Sequence, residues 1–322
     1  MTIARRFAAL AAAMLTVIAA ACSAPQPASK PVKPAKPGKL LFGVYEPTSP
    51  GSYTQLNQFT QDTGVHPAIV SYYSQWWMAF QTGFADEARA HGAEVLVQMQ
   101  PRQVSCQTVS SGAADSYLEQ YASQVKAFRY PVILSFGQEM NGNWYPWGEG
   151  GCAADAFTTA WKHIVTVFRA AGADNVTWLW DPNVQYPGGA PLRDWWPGSA
   201  YVDLVGLDGY YAYPADTFSS LFLPSINAIR SFTDKPLLIA ESGVTAMDGT
   251  GRLKDLYTGA ADTRAVGVVY FDVKQSGDPE HQDWRLEDSP GMLQTFRSLA
   301  QTLLRPALRE DVVVSRMHRY RR

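Results

Sequence analysis

Eight short apolar segments, separated by stretches of helical character, constrain the fold of this chain more than any other feature. They occupy residues 40–45, 67–72, 93–99, 131–136, 176–180, 202–207, 236–240 and 266–271. Helical patterns lie among and after them at residues 84–91, 116–128, 153–171, 218–232, 253–261 and 291–304. Strands that alternate with helices pair in parallel, with right-handed crossovers between neighbours. The pattern therefore predicts an α/β fold.

The number of these units favours a closed barrel. Eight strands and their crossovers within residues 40–304 suit a single (β/α)8 TIM barrel, and the 46% hydrophobic content is sufficient for its core. No GxGxxG sequence opens the first helix, as it would in a dinucleotide-binding sheet. An open, doubly wound sheet is the alternative. The sequence shows neither an internal repeat nor a second domain.

Both ends of the chain have compositions typical of segments outside a barrel. Residues 1–21 begin with basic MTIARR and continue as an Ala-rich apolar run, which predicts a secretory signal peptide. Cys22 then opens a Pro-, Lys- and Ala-rich linker at residues 22–39. Either Cys22 is the lipidated first residue of an envelope lipoprotein, or the signal is cleaved and the chain secreted; both imply export. The basic residues 305–322 are expected to form a solvated tail, with docking to an anionic envelope surface as the alternative.

The remaining cysteines and the net charge bear on compartment and partners. Cys106 and Cys152 each follow a predicted strand, and in an exported chain we expect them to form a disulfide, with two separate thiols as the alternative. The formal net charge of −2 gives no general reason to bind nucleic acid. Membrane contact is expected only through a lipid at Cys22. A neutral polysaccharide suits this surface, and we expect a monomer.

Two glutamates carry the strongest chemical signal. Glu139 follows the fourth apolar segment within GQEMNGNWYPWG, and Glu241 ends LLIAE after the seventh. In a (β/α)8 barrel, the active site gathers at the carboxyl ends of the strands. Strands four and seven lie on opposite sides of the barrel mouth, so the two carboxylates are expected to face each other. Glycoside hydrolysis needs such a pair. An ordinary surface or capping role is the alternative for each glutamate.

Aromatic side chains beyond the same strand ends are predicted to bind sugar. Their rings can stack on the apolar face of a sugar while neighbouring polar groups bond its hydroxyls. The tryptophans concerned are Trp76, Trp77, Trp144, Trp147 and Trp284. Tyr210, in GLDGYY, is predicted to donate a hydrogen bond that orients the nucleophile, and Asp208 to be a buried acceptor. Packing in the core is the alternative for all these rings.

No cofactor or metal is expected. The five histidines form no HExxH pair, and neither Cys106 nor Cys152 has a second cysteine or a histidine at the spacing of a metal site. No GxSxG elbow indicates a serine hydrolase. Carbohydrate chemistry without a cofactor is the function class that these observations favour.

Three motifs in order resemble glycoside hydrolase family 26, a retaining (β/α)8 family of endo-β-mannanases with mixed-linkage β-glucanase and β-1,3-xylanase members. GQEMNGNWYPWG resembles the acid/base segment, which implies that Glu139 is the proton donor and Trp144 a subsite tryptophan. LLIAESG resembles the nucleophile strand, which implies Glu241 as nucleophile with Tyr210 as its hydrogen-bond partner. The likeness spans about residues 39–304.

The third motif and two departures bear on the substrate. VVYFDVKQSGDPEHQDWRLE resembles the last strand and loop, which implies that Trp284 and Arg285 line the glycone side of the cleft. Typical mannanases of the family carry histidine just before the acid/base and after the third strand, where this chain has Gln138 and Gln100 or a neighbour. Both positions touch the subsite that reads the second hydroxyl of the sugar. A β-glucan therefore competes with mannan as the expected substrate.

The expected function is a retaining endo-β-glycanase that cleaves β-1,4-mannan or β-1,3-1,4-glucan by a two-glutamate double displacement. Within the same enzyme class, a β-1,3-xylanase is an alternative. A noncatalytic carbohydrate-binding lipoprotein is the alternative from a different class, although pure binding has no need for a paired acid and nucleophile.

Overall fold

A computed structural model describes residues 39–275 and 282–305 of the 322-residue chain. The predicted signal peptide at 1–21, the predicted lipidation site Cys22, the linker up to residue 38 and the predicted tail beyond Arg305 lie outside the described residues. No helix of the described part is both long and apolar enough to cross a membrane.

Eight parallel strands form a closed barrel, which confirms the predicted (β/α)8 fold and excludes the open sheet. The strands are β1 (Leu41–Tyr45), β2 (Ile69–Gln75), β3 (Glu94–Gln100), β4 (Val132–Phe136), β5 (Val176–Trp180), β6 (Leu204–Asp208), β7 (Leu237–Ser242) and β8 (Gly267–Phe271). Each pairs with its successor, and β1 pairs with β8. Every predicted apolar segment overlaps a strand.

The helices match the predicted ones with three exceptions. They are α1 (Thr54–Thr63), α2 (Thr82–Ala90), α3 (Cys106–Ser110), α4 (Asp115–Phe128), α5 (Ala154–Ala171), α6 (Phe218–Leu221), α7 (Leu223–Arg230), α8 (Gly249–Asp262) and α9 (Pro290–Leu303), with a 3₁₀ turn at Leu192–Trp195. The sequence pattern did not predict α1, which is polar and buries only Leu56, Phe59 and Thr63, or the short α3. The single helix predicted at 218–232 is two, because Pro224 lies in the first turn of α7 and has no N–H to continue α6.

The core has two layers, which follow from the alternation of side chains along each strand. An inner cluster fills the amino-terminal end of the barrel with Leu41, Ile69, Leu96, Ile133, Leu179, Leu204, Leu238 and Val269. The intervening residues, such as Phe42 and Val70, pack outward against the helices. Every second residue after the inner cluster also faces the barrel interior, and towards the carboxyl ends of the strands these positions are polar. They are Ser71 and Tyr73 in β2, Gln98 and Gln100 in β3, and Asp181 after β5. The barrel mouth is therefore polar.

Strand β7 departs from this alternation at the mouth. Leu238 and Ala240 belong to the inner cluster, so strict alternation would turn Glu241 outward. The pairing of β7 with β8 shifts register between Ile239 and Ser242, and its pairing with β6 is irregular at the same level. Such irregularities re-aim a side chain near active sites. Here the shift turns Glu241 towards the mouth.

The predicted disulfide between Cys106 and Cys152 is present, with the two Cα atoms 6.2 Å apart. Cys106 begins α3, in the connection after β3, and Cys152 ends the connection between β4 and α5. The bridge therefore joins two loops beside the barrel mouth, and the alternative of two separate thiols is excluded.

Candidate active site

Glu139 lies in a tight turn directly after β4. Both Gly137 (φ 59°) and Glu139 (φ 55°) have left-handed backbone conformations. A Cβ added to Gly137 would lie 2.9 Å from the Trp147 ring, so only glycine fits there. The Glu139 amide donates to the carbonyl of Asp181 at 2.7 Å, which ties the turn to the end of β5. A strained backbone thus holds the carboxylate at the mouth, where it is 7% exposed.

Two nitrogen donors hold the Glu139 carboxylate. The Trp144 indole donates to Oε2 at 2.7 Å, and the side-chain amide of Asn183 donates to Oε1. Asn141 fixes Asn183 in turn, because its Oδ1 accepts from the Asn183 amide at 2.8 Å and its Nδ2 donates to the Asn183 carbonyl at 2.9 Å. Trp144 remains 48% exposed, so it reaches Glu139 and also presents ring surface to solvent.

Two phenols hold the Glu241 carboxylate. Tyr210 donates to Oε1, and Tyr73 donates to Oε2. Tyr210 is the predicted partner of Glu241, whereas Tyr73 is not among the residues predicted for the site. The signal that would have found Tyr73 is the alternation along β2, since it lies four residues after the inward-facing Ile69.

The two glutamates lie close together with Asp208. One carboxylate oxygen from each of Glu139, Asp208 and Glu241 lies within 4.8 Å of the others. Three such carboxylates are the residues that would hold a cation. However, both oxygens of Glu139 already accept hydrogen bonds from N–H donors, and both oxygens of Glu241 accept them from O–H donors. The arrangement is that of hydrogen-bonded carboxyl groups rather than of a metal-ligand shell.

Burial makes both glutamates weaker acids than usual. It raises the pKa of Glu139, against the opposing effect of the Asn183 and Trp144 donors. Burial, followed by the negative charge of Glu139, raises the pKa of Glu241 to about 8, while the two phenols oppose the rise. Because each charge disfavours the other, a proton on Glu139 makes Glu241 easier to ionise. The ionisation of each glutamate therefore depends on the protonation state of the other.

A second pair of acids, Asp181 and Asp208, lies beneath the glutamates. Burial, with the negative charges of Asp181, Glu241 and Glu139, raises the pKa of Asp208 well above its ordinary value. Burial raises the pKa of Asp181 to about 7, against the opposing effect of the Gln98 side-chain amide, which donates to Asp181 Oδ2 at 2.8 Å. Among the described residues neither carboxyl oxygen of Asp208 has a hydrogen-bond partner, so its expected role as an acceptor stays a prediction. Gly206 makes room for the pair, since its Cβ would lie 2.0 Å from Asp181 Oδ1.

Two of the predicted sugar-binding tryptophans are packing residues. Trp147 is 1% exposed, and its indole donates to the Gln138 carbonyl at 2.8 Å. Trp76 is 3% exposed and packs against Tyr117, with ring centroids 4.8 Å apart. Neither presents a ring face to a ligand, so the predicted substrate contact is corrected for both. The neighbour Trp77 is the exposed ring of that loop.

The residues of the last loop lie beside Glu241 but are largely engaged. Trp284 is buried against Tyr210, with ring centroids 4.7 Å apart. Arg285 donates twice to Asp283, at 2.9 and 2.8 Å, and also pairs with Asp288. These bonds lower the pKa of Asp283 to about 2. The Arg285 guanidinium therefore braces its own loop.

The two glutamines predicted at the second-hydroxyl subsite differ in their surroundings. Gln138 is buried next to Glu139, and within the described residues neither its side-chain oxygen nor its nitrogen has a hydrogen-bond partner. Gln100 accepts from Arg102 Nε at 3.3 Å. Gln138 thus has free donor and acceptor capacity next to Glu139, whereas Gln100 is already bonded.

A family model decides the chain's relationship to known proteins. The model described as "Glycosyl hydrolase family 26" matches residues 56–235, more than half of the chain. The chain belongs to glycosyl hydrolase family 26. Its barrel is therefore a glycoside hydrolase domain.

Among the relatives, this family 26 chain is 27% identical to "Endoglucanase H" of Acetivibrio thermocellus over 276 residues, 80% of this chain and 30% of that protein. It is 27% identical to "Mannan endo-1,4-beta-mannosidase" of Bacillus subtilis strain 168, over 44% of this chain and 38% of that protein. It is 31% identical to "Beta-1,3-xylanase TXYA" of a Vibrio species, over 42% of this chain and 28% of that protein. The chain spans well under half of each relative.

Solved structures show the same fold. An endo-beta-1,4-mannanase double mutant of Cellulomonas fimi superposes with a TM-score of 0.67 at 18% identity, covering 84% of this chain and 72% of that one. At this identity, the likeness concerns the fold alone.

Proposed function

We propose that this protein is a retaining endo-β-glycanase that cleaves a β-linked polysaccharide by double displacement. The observation that carries the proposal is the close approach of Glu139 and Glu241, with one oxygen of each within 4.8 Å. Carboxyl groups of retaining glycosidases lie about 5–5.5 Å apart, whereas inverting enzymes leave about 6.5–9.5 Å for a water molecule. The gap here leaves too little room for that water.

Glu241 is the proposed nucleophile. Its two phenol donors stabilise the carboxylate and hold it in one orientation. Attack of one Glu241 oxygen on the anomeric carbon forms a glycosyl-enzyme ester, and the C–O bond to the leaving sugar breaks. The phenol that donates to the attacking oxygen must give up its hydrogen bond to that oxygen, because the same lone pair forms the bond to the anomeric carbon.

Glu139 is the proposed acid and then base. In the first step, its proton passes to the leaving oxygen, which burial favours by keeping the group protonated. In the second step, the Glu139 carboxylate takes a proton from water, which attacks the anomeric carbon and releases Glu241. The Trp144 and Asn183 donors stabilise Glu139 in its anionic form between the two steps.

The proposed substrate is a β-1,3-1,4-glucan or β-1,4-mannan, with β-1,3-xylan as the alternative. The match to Endoglucanase H over 80% of the chain supports a glucan, and the mannosidase and xylanase relatives support the other two.

The test is hydrolysis of mannan, lichenan and β-1,3-xylan by the wild type and by Glu241→Ala. We expect the wild type to release reducing sugar from at least one glycan, and NMR to show that the first product has the retained anomeric configuration. In Glu241→Ala the rate of hydrolysis should fall by about 10³-fold or more. Glu119→Ala, on the exposed face of α4, is the matched control. Normal hydrolysis by Glu241→Ala would refute the nucleophile, and binding to all three glycans without release would favour a noncatalytic binding protein.

We further propose that the protein is exported, as a Cys22-anchored envelope lipoprotein or in secreted form, and acts as a monomer. The Cys106–Cys152 disulfide supports an oxidising compartment. Fatty-acid labelling that disappears in Cys22→Ala would establish the anchor. Label retained in that variant contradicts it, and size-exclusion chromatography tests the monomer.

A further inference from the structure

Trp77 combines two unfavourable features that its packing does not explain. It has a left-handed backbone conformation (φ 72°) and is 53% exposed. A bulky residue in this conformation is a strained outlier. Its ring meets those of Trp76 and Tyr117 at 76° and 67°, so neither stacks parallel on it. A glycine at this position would remove the strain and the exposed ring together.

The other strained residues show what is unusual about Trp77. Among the described non-glycine residues with positive φ, Arg129 and Asp248 cap helices α4 and α8, and Arg264 directly follows the end of α8. Left-handed residues are ordinary at helix ends. The remaining two are Glu139 and Trp77, and both lie in loops at the carboxyl ends of strands. Trp77 thus shares its backbone strain with the proposed acid/base residue.

The turn that carries Trp77 is held by backbone hydrogen bonds at the carboxyl ends of β2 and β3. Trp76 donates its amide to the Gln100 carbonyl at 3.0 Å, and Met78 donates to the Gln75 carbonyl at 3.1 Å. Tyr73, which contacts Glu241, lies only four residues earlier, so the Cα atoms of Tyr73 and Trp77 are within about 14 Å of each other. This upper limit places Trp77 within reach of an oligosaccharide bound at Glu241.

We propose that Trp77 is the platform of a distal subsite, on which a sugar ring of a β-linked glycan stacks some units away from the cleaved bond. The inference rests on the proposed glycanase function. A rigid indole held by a fixed backbone offers a large apolar face at little entropic cost on binding. The site selects for chain length, since only a substrate with several sugars spans from Glu241 to Trp77.

The test compares Trp77→Gly and Trp77→Tyr with the wild type on the cleaved glycan and on oligosaccharides of decreasing length. For Trp77→Gly, we expect kcat/KM on the polysaccharide to fall about 3- to 10-fold, mainly through KM, with a loss that shrinks as the substrate shortens. Trp77→Tyr should retain most of the wild-type kcat/KM on the polysaccharide. Tyr130→Ala, an exposed ring before β4 at the opposite end of the barrel, is the matched control.

Stability separates this role from a packing role. If Trp77 serves the substrate, Trp77→Gly keeps or raises the melting temperature, because it relieves the left-handed strain. An equal loss of kcat/KM at every substrate length, no loss on the polysaccharide, or a lowered melting temperature would overturn the proposal.

Electrophoresis in native gels that contain a glycan measures binding without hydrolysis, because a protein that binds the glycan migrates more slowly. This measurement separates a failure of the Trp77 inference from a failure of the proposed glycanase function. If the wild type hydrolyses no glycan, the glycanase proposal has failed. Loss of retardation in Trp77→Gly alone would still support the stacking site, and retardation equal to that of the wild type would refute it.

Discussion

Tyr73→Phe tests the hydrogen bonding of Glu241 most directly, because it deletes one phenol donor without changing the ring. A hydrogen bond to a charged group contributes about 1.5–3 kcal/mol, and one pKa unit corresponds to about 1.4 kcal/mol. Losing the donor should therefore raise the pKa of Glu241 by about 1–2 units. That pKa already lies near 8, through burial first and the charge of Glu139 second. A smaller anionic fraction at neutral pH should lower kcat/KM by about 10- to 100-fold.

The assay is the pH dependence of kcat/KM on the glycan that the wild type cleaves. We expect the acidic limb of Tyr73→Phe to move upward by about 1–2 units. Tyr210→Phe should behave alike, since Tyr210 donates to the other oxygen. Tyr45→Phe is the matched control, because its ring lies 4.8 Å from that of Tyr73 and no bond from its hydroxyl to Glu241 exists in the described part of the chain. A Tyr73→Phe profile that matches the control refutes the reasoning.

Four further outcomes are expected. Asp208→Asn should be at least as stable as the wild type in urea denaturation, because it removes a carboxyl group whose charged form burial and the neighbouring carboxylates disfavour; a clear loss of stability contradicts this. Since burial raises the pKa of Asp181 to about 7 and of Glu241 to about 8, their contribution to stability is fully present below the unfolded values near 4 and is lost as the pH rises through 7–8. The melting temperature should fall between pH 5 and 9, and a constant or rising value contradicts this. Trp144→Phe removes a donor to the Glu139 carboxylate, so the alkaline limb of kcat/KM should move upward; an unmoved limb argues against that bond. Replacing both bridged cysteines by alanine should cost about 4 kcal/mol, given their separation of 46 residues, and an unchanged unfolding midpoint would contradict it.

Local patterns were sufficient to predict the barrel and the place of Glu139. Strands buried on both faces appear as apolar runs, and each of the eight runs overlaps a strand. Glu139 follows such a run by three residues, so its place at the mouth depends only on chain order. Helix α1 escaped prediction because its ten residues TQLNQFTQDT are mostly polar and only a narrow stripe packs inward.

The rings were harder to predict than the strands, because exposure depends on neighbours distant in sequence. Trp76 and Trp77 are adjacent, yet Tyr117 of α4 covers the first while the left-handed turn lifts the second into solvent. Trp147 fills the space that Gly137 leaves open. No composition or spacing in the loops distinguishes these cases.

The sequence by itself determined the eight strands, their parallel order, the disulfide partners and the family, since each depends on residue type and order along the chain. Only the tertiary structure decided the orientation and protonation of the site. The irregular pairing of β7 turns Glu241 inward against the alternation of its strand, and β2 brings Tyr73 to its second oxygen. The pKa of Asp208 is raised because folding buries it among three other carboxyl groups. Such electrostatic coupling arises from distances across the barrel, which no local pattern encodes.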